Sequence, residues 1–362
     1  MSMIENEKAA LDLKTIEYFD NIEEISGNAL QRNNDKCENA FDIADLRMIF
    51  HYDRVELKTY FEWQMKLFEP VEERMVFANI CIWSDDSADE LYSLMSGNDI
   101  CGFSVISEDS GKKYEIFLKN NKNVGKVLFA WCEAEHKGWV NIHPDTLQRF
   151  MDVSHMLTPL LSRMCNSMNA RMLHSAAIVH KGEAVLLIGL SNSGKSTLAA
   201  ACLDRGMQYV SDDTILYRID DGAVFPICST LHLTPGSLYR LPFLAEKVEK
   251  GMIETAPGRG EKRHLDLSSF SDKIVFGARA KMIICPVINE GAMPKIEPID
   301  KNKAIVPLLY SSAELLGEKR NPNYLTVVMN TLRKLPTWQY TLSPDFCGNA
   351  DMLKDFLNKI YE

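Results

Sequence analysis

No two cysteines in the chain are spaced as Cys-x-x-Cys. The nine that occur are scattered from Cys37 to Cys347. That scatter argues against a disulfide framework or a cysteine zinc site and predicts reduced core thiols. No apolar run reaches the roughly 18 residues of a membrane span. The N-terminal stretch MSMIENEKAALDLK carries acidic residues and lacks the apolar centre of a secretory leader. These absences predict a cytoplasmic protein with no membrane attachment. Positive charge is also scarce: 40 Lys and Arg stand against 50 Asp and Glu, for a formal net charge of −10. Such a chain is poorly suited to non-specific binding of nucleic acid, although a local basic patch stays open. No internal repeat or low-complexity tract is visible.

What is present is an ordinary globular composition, 46% hydrophobic and 25% charged. At about 150 residues per domain, 362 residues predict two domains. The first forty residues are polar and mixed. Between about Ala40 and Asp99 the segments LKTYFEWQMKLF and ADELYSLM suit helices. From Cys101 the runs GFSVIS, KYEIFLK and KVLFAWCE, separated by EDSGK and NNKNVG, predict an antiparallel meander. HPDTLQRFMDVSHMLTPLLSRMCNSMNARML reads as helix, capped by Asp145 or Thr146 and kinked or divided at Pro159. The boundary is placed there: an N-terminal α+β domain over 1–166 and a nucleotide-binding domain over 167–362.

HSAAIVH and EAVLLIGL, joined by Lys181-Gly182, predict a hairpin. In that register 180 faces 183 and 178 faces 185, and His174 comes opposite Gly189. GLSNSGKST follows, matching G-x-x-x-x-G-K-[ST] from Gly189 to Ser196. Gly189 and Gly194 allow the backbone angles that turn successive N–H groups toward phosphate. Leu190, Ser191, Asn192 and Ser193 complete the loop, and Thr197 follows it. Lys195 supplies a cation for the terminal phosphates, Ser196 a hydroxyl for Mg²⁺, and the following helix its positive end. No guanine-reading N-K-x-D occurs, so the expected nucleotide is ATP.

The helix STLAAACLDRG stops at Gly206, and the strand MQYV ends at Asp212-Asp213. An Asp-Asp pair alone is turn chemistry, as read at Asp85-Asp86 and Asp220-Asp221. One helix and one strand after a phosphate loop, both acids come within reach of a γ-phosphate. One can act as general base on a hydroxyl while the other faces the metal. Asp212 is assigned the first role and Asp213 the second. His174 contacts phosphate, assists proton movement, or is simply packed. Arg259, Lys262 and Arg263 in APGRGEKRH form either a mobile basic loop that closes on phosphates or a solvated charged loop. TILYRIDDGAVFPI predicts a hairpin at Asp221-Gly222, KMIICPVI and PKIEPI predict strands, and the C-terminal portion reads as mostly helix.

LHSAAIV, GLSNSGKST and RGMQYVSDD, taken in order, resemble the C-terminal kinase domain of HPr kinase/phosphorylase. The likeness is strong over about Leu173 to Thr214 and weaker from GRGEKRHLDL to CPVI. It implies a mixed α/β P-loop core related to phosphoenolpyruvate carboxykinases. It also implies ATP- and Mg²⁺-dependent transfer to a protein serine. Lys195, Ser196, His174, Asp212 and Asp213 fall on that family's functional positions. Thr197 stands where enzymes acting on HPr often carry Glu. The reading is therefore a serine or threonine kinase of a protein or peptide, with the N-terminal domain recognising the acceptor and homo-oligomerisation left open. Its rivals are a kinase of a small hydroxylated metabolite, a non-catalytic ATP sensor and a carboxykinase-like enzyme.

Overall fold

In LRMIFHY every second residue, Met48, Phe50 and Tyr52, is buried, while Arg47, Ile49 and His51 are less so. That period of two makes the segment a strand, because alternate side chains leave opposite faces of a pleated backbone. The structure, a computed structural model of the chain, describes residues 14–32, 37–70, 72–93, 100–107, 109–121, 125–151, 157–165, 167–244, 252–256, 260–289, 291–315 and 322–362. It divides into two units, Met1–Ser167 and Met168–Glu362. Both are mixed α/β.

The first unit is a seven-stranded sheet. In chain order its strands are β1 (Glu38–Ile43), β2 (Leu46–Tyr52), β3 (Val76–Trp83), β4 (Ile100–Ile106), β5 (Lys113–Asn121), β6 (Gly125–Cys132) and β7 (Lys137–Ile142). Their order in space is β1-β2-β3-β7-β6-β5-β4. The predicted meander is the antiparallel run β4-β5-β6-β7. Not foreseen are β1, β2 and β3, of which β2, β3 and β7 run parallel. The helix Ile22–Leu30 in the polar N-terminal region was also not anticipated. Helices Val55–Gln64 and Asp89–Ser93 fall where helix was expected.

The long helix predicted after His143 is broken. Pro144–Thr146 is a 3-10 turn, Leu147–Met151 and Thr158–Met164 are short helices, and Ala170–Leu173 is a strand. The cap is the His143 side chain, which accepts from the Asp145 N–H. Pro159 lies in the first turn of its helix, where no N–H is needed, so of the two expected outcomes the helix is divided and not kinked.

The second unit holds β8 (Ala170–Leu173), β9 (Ala176–His180), β10 (Glu183–Leu187), β11 (Gln208–Ser211), β12 (Ile215–Arg218), β13 (Ala223–Pro226), β14 (Thr230–Leu233), β15 (Met252–Ala256), β16 (Gly260–Asp266), β17 (Ala278–Ile288), β18 (Lys295–Pro298) and β19 (Thr337–Leu342). The main sheet runs β11-β9-β10-β17-β13-β12-β8, with β19 on β17 and β18 on β19. β14, β16 and β15 form a small separate sheet. β9 and β10 pair in the predicted register, 180 with 183 and 178 with 185. Lys181 and Gly182 turn at φ 50 and 82, both positive as a two-residue hairpin requires. β12 and β13 form the second predicted hairpin. Helices Lys301–Leu315, Pro322–Leu332 and Phe346–Tyr361 make up the C-terminal portion, interrupted by β19. Of the nine cysteines, the eight whose side chains are described are free, and seven of them are buried. No helix among the described residues is long and apolar enough to cross a membrane.

Candidate functional site

β10 lies between β9 and the long β17. Its apolar run Ala184–Leu187 is fully buried, which anchors the strand before the chain enters the glycine-rich loop. The loop is shaped by two glycines. A Cβ on Gly189 would stand 2.6 Å from Ser193 Oγ. Gly194 has φ 96, and a Cβ there would stand 2.9 Å from Leu342 Cδ1. Asn192, at φ 64, takes the other left-handed position, which asparagine tolerates. The ten-residue helix Lys195–Asp204 starts directly after Gly194. Gly206, at φ 79, ends it as expected.

Lys195 is only 6% exposed. Its Nζ donates to the carbonyls of Gly189 and Leu190 at 2.9 and 3.0 Å, so the cation spans its own loop. Ser193 Oγ is buried with no partner among the described residues. Leu190, Ser191 and Asn192 are exposed at the rim. The Thr197 hydroxyl is turned away, donating to Ser237 Oγ at 2.8 Å. Ser237 belongs to the short helix Pro235–Tyr239, capped by Thr234.

The two acids meet the loop through Ser196, whose hydroxyl donates to the Asp212 carbonyl at 3.1 Å. Their carboxylates occupy different environments. The Asp212 side chain is 1% exposed. Its Oδ1 accepts from the Tyr209 hydroxyl at 2.9 Å and lies 3.3 Å from His232 Nδ1. Its Oδ2 accepts from the His232 backbone N–H at 3.2 Å. Burial, with the Asp212 charge next to it, pushes the Tyr209 pKa well above its ordinary value, so the hydroxyl stays a donor. His232 is equally buried, and its Nε2 lies 3.1 Å from Thr230 Oγ1.

Asp213 is 23% exposed. Its Oδ2 accepts from Thr214 Oγ1 at 3.1 Å, and its Oδ1 lies 3.7 Å from His174 Nδ1. The β9–β10 ladder ends with Ala176 opposite Leu187, so His174 does not pair with Gly189. Ser175 intervenes and donates its hydroxyl to the Leu187 carbonyl at 3.1 Å. His174 instead leaves the end of β8, held by a bond from its N–H to Ser312 Oγ at 2.9 Å.

Tyr209 and His232 were not singled out from the sequence. Tyr209 had a signal, since it sits three residues before Asp212 in the short strand that leads to it. His232 had none, because β14 brings it from twenty residues beyond. The expected basic loop differs as well. Arg259 lies outside the described residues. Lys262 and Arg263 stand in strand β16, not in a loop: Lys262 faces Glu254 and Arg263 faces Ile253, with Leu233 across the other edge. Among the described residues no three His, Cys, Asp or Glu side chains group as a metal cage.

No family model and no curated protein matches the chain. Among solved structures it is similar to the HPr(Ser) kinase/phosphatase from Coxiella burnetii, at 14% identity and a TM-score of 0.27, over 53% of this chain and 99% of that one. A superposition that loose carries no chemistry across, and the site rests on its own geometry.

Proposed function

We propose that the second unit is an ATP- and Mg²⁺-dependent kinase that phosphorylates a serine or threonine hydroxyl of a protein or peptide. The observation that carries this reading is the unequal burial of two adjacent carboxylates beside a phosphate cradle. A polyphosphate suits the cradle: Gly189 and Gly194 permit a tight loop in which a Cβ would clash with Ser193 and Leu342, and Ser193 Oγ is a buried hydroxyl with no partner among the described residues. The backbone of Gly189–Gly194 and the start of the following helix hold the phosphates. Lys195 exchanges its two carbonyls for phosphate oxygens. Mg²⁺ on Ser196 would supply charge neutralisation at the terminal phosphates.

The burial reverses the roles assigned from sequence order. A general base needs a lone pair that the acceptor can reach. Both Asp212 oxygens are engaged by Tyr209 and His232, whereas Asp213 is partly open. Asp213 therefore takes the acceptor's proton. The acceptor oxygen bonds to phosphorus as the bond to the ADP oxygen breaks. His174 stands beside Asp213 and steadies its charge. Asp212 fixes the turn and contributes a buried negative charge behind it, while Tyr209 and His232 position it.

Labelled ATP in a lysate of the source cell tests the reading. Label in a polypeptide that disappears with Asp213→Asn is the expected result. Label in a small molecule would move the enzyme to the metabolite kinases. Label in no acceptor would remove the transfer step.

A further inference from the structure

A buried polar cluster in the first unit plays no part in the phosphate site. Parallel strands β2, β3 and β7 finish side by side near Asp53, Ser84-Asp85 and Asn141. The chain leaves β2 and β3 toward opposite faces of the sheet. After β2, helix Val55–Gln64 sets Phe61 against Phe50 and Tyr52, at 6.1 and 5.7 Å between ring centres. Phe50 and Tyr52 are paired with Ile80 and Ile82 and share their face. After β3, Ala88, Leu91 and Tyr92 join the core of Cys81 and Trp83, which point to the other face. Parallel sheets take ligands where connections diverge in this way, beyond the carboxyl ends of the strands.

The side chains there are polar. The Asp53 carboxylate accepts from Arg54 Nε and Nη2 at 3.0 and 2.7 Å and from the Ser84 N–H at 3.1 Å. Asp85 Oδ1 accepts from Trp83 Nε1, the Ser87 N–H and Asn141 Nδ2 at 3.0, 3.1 and 2.8 Å. Asp85 Oδ2 accepts from Arg32 Nη2 at 3.0 Å. Burial alone would raise the Asp85 pKa, but the Ser87 bonds and the Arg32 charge outweigh it and hold it below the ordinary value. Asp85 is therefore a structural hub where the sequence suggested only a turn.

Two polar atoms in the cluster lack partners among the described residues, Asn141 Oδ1 and Ser84 Oγ. Their residues are 0% and 3% exposed. The Asn141 amide nitrogen must face Asp85, since its oxygen would otherwise meet a carboxylate, so the oxygen is left needing a donor. A buried acceptor without one is costly. At the rim the Arg32 and Arg54 side chains are 56% and 33% exposed and carry more N–H groups than these bonds use.

We propose that the carboxyl ends of these strands bind a small zwitterion, of which a free α-amino acid is the simplest. Its carboxylate meets the guanidinium N–H groups of Arg32 and Arg54. Its ammonium donates to Asn141 Oδ1 beside Asp85, and Ser84 Oγ bonds to either group. The charges favour a zwitterion over a bare anion, because two guanidiniums already balance two carboxylates. Every residue involved lies in the first unit, so the proposal does not depend on phosphoryl transfer.

The test is calorimetric titration of the full chain with each free amino acid, and with acetate, methylamine and inorganic phosphate as partial mimics. At least one amino acid should bind saturably, with the mimics far weaker. Arg32→Gln should weaken that binding roughly tenfold or more, as loss of a hydrogen bond to a charged group does. Ser84→Ala removes a partnerless hydroxyl, so it should fold as well as the parent while binding less tightly. The proposal is overturned if no amino acid binds at millimolar concentration. It is also overturned if acetate or phosphate binds as tightly as the best amino acid, or if both variants bind like the parent.

Discussion

Replacing each acid of the Asp212-Asp213 pair with its amide separates a structural charge from a reactive one. Asp212→Asn keeps the shape but turns one of two accepting oxygens into an NH₂ donor. That donor must face either the Tyr209 hydroxyl and His232 Nδ1 or the His232 backbone N–H, depending on which way the amide sits. Bonds to charged groups are worth about 1.5–3 kcal/mol, and a buried donor left unpaired costs about 1–3 kcal/mol. The sum, trimmed because the site relaxes, is about 2–4 kcal/mol. For a unit of this size that lowers the melting midpoint by about 4–16 °C. Asp213→Asn touches a partly open side chain with Thr214 and His174 among its contacts. Its stability should change by no more than about 0.5 kcal/mol, about 1–2 °C in the midpoint. Single-turnover transfer should instead fall by about 10²–10⁴-fold, the worth of a general base. Calorimetric melting and rapid-quench transfer on both variants give the comparison. A cold-stable Asp212→Asn with no transfer, beside an Asp213→Asn with normal transfer, would refute the assignment made from burial.

Gly194→Ala should lose about 1–2 kcal/mol from its left-handed backbone alone, and further stability from the approach to Leu342; nucleotide titration should show weakened ATP binding, and unchanged affinity would mean that the loop does not hold phosphate. Ser196→Ala should raise the Mg²⁺ concentration needed for half-maximal transfer, and a superimposable Mg²⁺ series would exclude Ser196 as a ligand. Burial pushes the Cys228 thiol from its ordinary 9.0 up to about 12, and Tyr209 is raised too. Folded values above unfolded ones mean that the unfolded chain releases these protons first. Stability should therefore be complete below about pH 9 and decline as pH climbs toward 12. Denaturant midpoints across that window check it, and a flat profile to pH 12 would show that these groups are not sealed from solvent.

Features governed by nearby residues were legible in the sequence. The phosphate loop was readable because two positions exclude a Cβ, and the hairpin at Lys181-Gly182 because two adjacent residues need positive φ. What escaped depends on partners far along the chain. β1 and β2 interleave charged and apolar residues, and a parallel ladder between β2 and β3 leaves no turn signature in either strand. ARML becomes strand because β12, over forty residues later, pairs with it. Lys262 and Arg263 sit in glycine-rich surroundings that read as loop, yet β14 and β15 flank them on both edges. Within the site, adjacency suggested two acids of equal standing. Only the arrival of His232 from β14 makes one of them inaccessible.

Lys195 resting on the carbonyls of Gly189 and Leu190 bears on selectivity. The ammonium is already stripped of most of its water, and two backbone carbonyl dipoles face it. An arriving ligand must therefore outcompete two well-placed neutral acceptors at once. A singly charged ion with one suitable oxygen gains little from that exchange. A polyphosphate tail offers several oxygens and more than one charge to the same cation, so the loop screens its guests by multiplicity of charge before any contact is made with a base or sugar.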